Sequence, residues 1–261
     1  MYGPCSLNTT LPNGDNVLIE EQTNYPFDDT VTLLMSSSAA RLDGLTLYLR
    51  IPSWADGATT SLNDGQPQAV AAGTFARVVL PPGTDSPSTL VLRFPMTTRV
   101  ERRYNNAASV QRGPLVFALN LQPNFTILAN YSFDSKDYQI LPAQGVAWNY
   151  GLRLQDDSQP DADLQFQQVP GPIPSNPFDP DTSPVRILAY GRLLSQWSVE
   201  LNSAAEPPVS PVVSQDHEVP LTLLPFGATK LRIAEIPTLL PAMRPLDALT
   251  RSPTGTLFST D

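Results

Sequence analysis

Hydrophobic residues recur at every second position over short stretches of this chain. In Leu45-Thr46-Leu47-Tyr48-Leu49-Arg50-Ile51 the odd positions are aliphatic and the even ones polar or amphipathic. Successive side chains of a strand point to opposite faces, so this pattern predicts one face on a core and one in water. Val31, Leu33 and Met35 repeat it, as do Leu90, Leu92 and Phe94, and near the end Leu231 and Ile233 alternate with Lys230 and Arg232. The runs are bounded by turn chemistry: Pro12-Asn13-Gly14, Asn63-Asp64-Gly65 and Pro81-Pro82-Gly83. No long stretch has apolar residues at i, i+3, i+4 and i+7 with a cap. The expected fold class is all-β, with two consecutive antiparallel β-sandwich domains of jelly-roll-like form.

Residues 16–120 hold the densest strand pattern, and the boundaries read from it are 1–122 for a first sandwich and 123–237 for a second. Residues 156–184 read as a long turn-rich loop, and strands resume at Val185–Trp197 and Val219–Ile236. Residues 238–261 read as a poorly ordered tail, with one helical turn around Pro245–Leu249. The 28 prolines of the 261 residues are about twice the share expected from an average near 5%. Proline lacks the N–H a central strand needs and so collects in turns and at sheet edges, which favours the same fold.

Charge narrows the partners. A net charge of −9 opposes binding to nucleic acid or to an anionic membrane. No apolar run reaches the roughly 20 residues of a bilayer span, and Met1-Tyr2-Gly3-Pro4 does not read as a signal peptide. Neutral partners such as sugars stay open. Three sequons, at Asn8, Asn124 and Asn130, are candidate glycosylation sites.

Several blocks carry a resemblance. Thr23-Asn24-Tyr25-Pro26-Phe27-Asp28-Asp29-Thr30-Val31, then Leu49-Arg50-Ile51-Pro52-Ser53-Trp54-Ala55, resembles glycoside hydrolase family 127, the β-L-arabinofuranosidases. Val110 through Leu119, containing Gln111-Arg112-Gly113-Pro114, is similar to a third family block, and Trp148-Asn149-Tyr150-Gly151-Leu152 to a fourth, where the family usually has Ala in place of Gly151. Pro184 through Arg192 with Trp197, and Leu224 through Arg232, complete six blocks in the family's order over roughly residues 17–237. The resemblance implies an N-terminal α/α barrel carrying the active site and a zinc held by cysteines and a glutamate, followed by two β-sandwiches. This chain resembles only the sandwiches. The expectation is a non-catalytic accessory region, inactive by itself and without a cofactor of its own, the zinc belonging to the barrel. Its expected partner is that barrel, with arabinose-containing glycans and a second copy of the chain as further candidates. Two other readings stand beside it: an independent carbohydrate-binding module, and a truncated inactive gene product.

The residues that could carry chemistry read mostly as structure. Cys5 is the one cysteine, with no Cys or His neighbour to form a metal site or lower its pKa. His217, the one histidine, reads as a loop residue. Glu20-Glu21, Asp28-Asp29 and Asp156-Asp157 are adjacent in sequence, which on a strand sends the two carboxylates to opposite faces. Arg99, Glu101, Arg102 and Arg103 read as a charged strand edge. Gly113-Pro114 and Gly227-Ala228 read as backbone geometry. Trp54, Trp148 and Tyr150 are the candidate carbohydrate contacts, with Trp197 a further aromatic that could stack on a sugar. Core packing is the competing reading for each.

Overall fold

The computed structural model describes residues 2–39 and 41–240. Its first eight strands are β1 (Cys5–Thr10), β2 (Asn16–Thr23), β3 (Thr30–Ser37), β4 (Thr46–Arg50), β5 (Thr59–Leu62), β6 (Gln68–Ala69), β7 (Phe75–Val79) and β8 (Ser88–Arg93). Six of them form an antiparallel sheet in the order β1-β2-β3-β8-β5-β6, and β4 pairs with β7 in a second, two-stranded layer. The period-two expectation holds residue by residue: Val31, Leu33 and Met35 of β3 and Leu90 and Leu92 of β8 are all buried. They meet Leu49 and Ala76 of the smaller layer in one core, closed at its end by Ile51 and Phe94. Each fully buried Leu, Ile or Phe side chain contributes about 1.5–3 kcal/mol relative to an exposed one. At Asn63-Asp64 both residues have positive φ, 48° and 58°, and Gly65 N–H closes the turn on Leu62 C=O at 2.9 Å. That is the twist-matched turn that Asn and Asp tolerate best after glycine.

The second unit is built on a seven-stranded antiparallel sheet. Its members are β9 (Thr98–Arg102), β10 (Ala108–Arg112), β11 (Leu115–Leu119), β14 (Tyr150–Leu152), β15 (Gln165–Gln168), β16 (Val185–Leu193) and β19 (Val219–Pro225). Two short hairpins stand off it: β12 (Pro123–Asn130) with β13 (Lys136–Pro142), and β17 (Val199–Glu200) with β18 (Ser203–Ala204). The sheet order is β14-β16-β19-β11-β10-β9, with β15 also paired to β16. Val185, Ile187 and Ala189 alternate inward along β16, and Phe117, Leu119, Leu221 and Leu223 continue the same core.

Three sequence expectations change. Strands β9–β11, expected in the first sandwich, belong to the second sheet, because Phe117, Ala118 and Leu119 pair with Pro225, Leu224 and Leu223. The division between sheets therefore falls near residue 97 rather than at 122. Lys230–Ile233 is not a strand despite its alternation; Leu231 and Ile233 pack on the core from irregular backbone. The loop 156–184 contains β15, whose Gln165–Gln168 pairs with Val185–Leu188. At the C-terminal end Thr238 and Leu239 are buried and held by Val212 N–H to Thr238 C=O and Leu239 N–H to Leu152 C=O, both 2.8 Å. The rest of the expected tail, including the helical turn at Pro245–Leu249, lies outside the described residues.

Candidate functional site

Four of the six sequence blocks converge where the two sandwiches meet. The turn between β2 and β3 carries Phe27 out of the first sandwich and buries it in the core of the second, beside Leu121, Val185 and Phe117. Its ring packs on Phe178 at a centroid distance of 5.3 Å. Phe178 in turn covers Gly227, where a β-carbon would lie 2.8 Å from Phe178 Cδ1. On the other side of Phe27 is a cleft of about 200 Å³ lined by Asp28, Asp29, Met96, Arg112, Leu115 and Phe166, among others.

The electrostatics of this seam are mostly closed on themselves. Arg112 reaches from the end of β10, donates from Nη1 to Met96 C=O, and stacks with Cζ 4.0 Å from the centre of the Phe166 ring. Burial lowers its pKa from the usual guanidinium value, against the opposing pull of Asp161 and Asp29. For Asp29, burial pushes the carboxyl upward. Hydrogen bonds from Arg93, 3.0 Å, and Thr30, 3.0 Å, together with the Arg93 charge, outweigh this and hold it below the usual carboxylate range. Asp28 accepts the Asp29 N–H at 2.6 Å. The adjacent carboxylates form a hydrogen-bonded turn at the joint. Gly113 adopts φ +53°, and a β-carbon there would sit 2.5 Å from Met96 Sδ, so the β10–β11 turn must come close to the linking segment.

The other acidic pairs are likewise engaged. Asp157 receives two parallel hydrogen bonds from Arg102, each 2.7 Å, and Arg102 also donates to Asn106 C=O and Thr238 Oγ1. Asp156 caps Ser158. Arg153 links Asp163 at 3.0 Å to Glu218 at 2.6 Å beneath the Tyr190 ring. This last cluster was not singled out in the sequence, since Glu218 lies 65 residues from Arg153 along the chain and no local pattern joins them. Glu21 accepts the Gly3 N–H at 2.6 Å, while Glu20 is exposed. Arg99, Glu101 and Arg102 lie on β9, the outermost strand of its sheet, and Arg103 follows directly after it, as the charged-edge reading expects. Cys5 is exposed on the edge strand β1, and His217 is exposed in the loop before β19. Among the described residues no three of His, Cys, Asp and Glu are grouped so as to hold a metal ion.

The aromatic candidates are not brought together. Trp54 packs edge-on against Phe94 at 6.2 Å in the first core. Tyr150 of β14 is half-buried against the second core. Trp148 packs on buried Trp197 at 5.0 Å and also lines a separate cleft. Asn8, Asn124 and Asn130 are all exposed.

Residues 1–96 match the family model of the β-L-arabinofuranosidase GH127 middle domain. The similarity to the GH127 middle domain covers the first sandwich of this chain. The match ends two residues before β9, where the sheets divide. Comparison with curated proteins gives no match. Among solved structures, one described as a glycoside hydrolase superposes with a TM-score of 0.58 at 21% identity, over 92% of this chain and 35% of its own. A GH127 β-L-arabinofuranosidase from Geobacillus stearothermophilus T6 superposes with a TM-score of 0.53 at 22% identity, over 90% of this chain and 31% of its own. At these identities they show the fold. The chain spans about a third of the length of either structure.

Proposed function

We propose that this chain is the non-catalytic β-sandwich region of a β-L-arabinofuranosidase-like glycoside hydrolase, and that it serves as a docking and stabilising body for a catalytic α/α barrel. The observation that carries the reading is the seam. The blocks that mark the family supply Phe27, Arg112, Val185 and Gly227, residues that fasten one sandwich to the other, and their acidic members are tied into turns and arginine pairs. Most glycoside hydrolases cleave with two carboxyl groups facing each other across the substrate, about 5–9 Å apart. Here the carboxylates hold the fold.

A docking role is supported by the outer face of the β4–β7 layer. Tyr48 and Phe75 are each 66% exposed and stand on the same side of that layer as Val79, between Arg50 and Arg77. Exposed aromatics alternating with arginines on one face are of the kind enriched at interaction surfaces.

The test is turnover of a nitrophenyl arabinofuranoside by the purified chain. No release above buffer is expected. Release that scales with folded chain overturns the proposal.

A further inference from the structure

We propose that the cleft beside Trp148 in the second sandwich binds a single neutral sugar ring. It lies between the foot of the β12–β13 hairpin, the β17–β18 hairpin and residues 231–233, and encloses about 240 Å³. That is below the roughly 300–1,000 Å³ of pockets for drug-sized ligands, so it fits one ring and not an extended chain.

The polar groups of this cleft are built but unengaged. Trp197 donates its indole N–H to Ala205 C=O at 2.9 Å, whereas Trp148 donates to no acceptor among the described residues. Arg232 is held in place with Cζ 4.8 Å from the centre of the Phe226 ring and with Nε–H directed to Thr229 C=O at 3.3 Å. Its two terminal nitrogens make no hydrogen bond among the described residues, and the same is true of the Asn202 amide and the Ser203 hydroxyl, which also line the cleft. Asn202 sits at φ +61°, the left-handed conformation that Asn tolerates, and this fixes the tip of the β17–β18 hairpin over the opening. The floor is apolar, formed by Leu121, Ile140, Leu231 and Ile233 beside the indole.

Those features select a ligand class. A sugar ring has an apolar C–H face for an indole or aliphatic wall and a rim of hydroxyls for a guanidinium fork, an amide and a hydroxyl. A purely apolar ligand would cover these donors and acceptors without replacing their hydrogen bonds to water, at full desolvation cost. A cation would face Arg232, the one charged residue lining the cleft, and a polyanion would approach against the net charge of −9. The site goes beyond the docking role and stands whether or not a barrel binds.

The three tryptophans give three indole N–H signals, so the whole chain can be titrated by NMR with D-galactose, L-arabinose and D-xylose, with sorbitol as an acyclic polyol that offers hydroxyls but no ring face. The expected result is a saturable shift of the Trp148 signal by at least one sugar, with a Kd of about 1–10 mM, while Trp54 and Trp197 stay still. Asn202→Gly, which keeps the left-handed turn, and Arg232→Gln should each weaken binding by about tenfold. No saturable shift with any of the sugars, an equal response to sorbitol, or unchanged affinity in both variants overturns the proposal.

Discussion

Phe27, a residue of the first sandwich by chain position, is 7% exposed because its ring is seated in the core of the second, against Phe178. The seam is thus a plug in a socket. Removing the plug should cost as much as a central core truncation: Phe27→Ala is expected to destabilise the chain by about 3–5 kcal/mol in urea unfolding. Gly227→Ala tests the socket wall. Its β-carbon meets Phe178 at 2.8 Å, but Phe178 is 38% exposed and can swing outward, so a loss of only about 1 kcal/mol is expected.

Gly113 and Gly145 separate conformational strain from crowding. Both have positive φ, +53° and +79°, but a β-carbon at Gly145 meets nothing within 4 Å while one at Gly113 meets Met96 Sδ at 2.5 Å. Gly145→Ala should cost about 1 kcal/mol, the strain alone. Gly113→Ala should cost about 1–3 kcal/mol more, since Met96 must move. Equal losses in paired denaturation curves would show that Met96 yields freely.

The Arg93–Asp29 pair gives a pH dependence of known sign. Burial raises the Asp29 pKa, but the Arg93 and Thr30 hydrogen bonds lower it further, so the folded value lies below the unfolded one. Such a group stabilises the fold above its unfolded pKa, about 3.9, and loses that contribution as pH falls through the lower folded value. Arg93→Gln should raise the Asp29 pKa, read by NMR, and remove less than about 1 kcal/mol at neutral pH, because Arg93 is 64% exposed. In strong acid the variant and the parent chain should be equally stable.

Tyr2 behaves in the opposite sense. Burial, with smaller contributions from Glu21 and Tyr25, pushes its phenol up to about 12 against the pull of Arg50, and its hydroxyl donates to Arg50 C=O at 2.8 Å. Its stabilising effect is complete below the unfolded tyrosine pKa near 10 and fades as pH rises toward the folded value. Ultraviolet titration should show a phenol ionising near pH 12, and Tyr2→Phe should remove that step.

Tyr48 and Phe75 should be dispensable for folding. Replacing both with Ser is expected to shift stability by less than about 0.5 kcal/mol per site and to reduce binding of a hydrophobic dye. A large loss of stability would assign them to the first sandwich's own packing.

The strands of the first sandwich were legible because alternation along β3 and β8 states which side chains face inward. Alternation does not state which strand lies alongside. Leu115–Leu119 reads as a strand from its sequence, yet its partner is Val219–Pro225, about a hundred residues later, and no local signal points there. Lys230–Ile233 fails for a related reason: its apolar positions reach the core, but only single bonds such as Leu119 N–H to Ile233 C=O, 2.9 Å, tie its backbone to the sheet. The family blocks were visible as residues, while their convergence on a seam was not, since Phe27 and Phe178 are joined only by the fold.

The long reach from β11 to β19 also orders events in time. A chain made at about 5–20 residues per second has the strands of the first sandwich in hand while the ribosome still lacks the partner of Leu115–Leu119. For roughly 5–20 s, β9, β10 and β11 wait as a three-stranded sheet whose β11 edge is unpaired, and that edge closes only when Val219–Pro225 emerges. During synthesis, the second sandwich is the vulnerable half of this molecule.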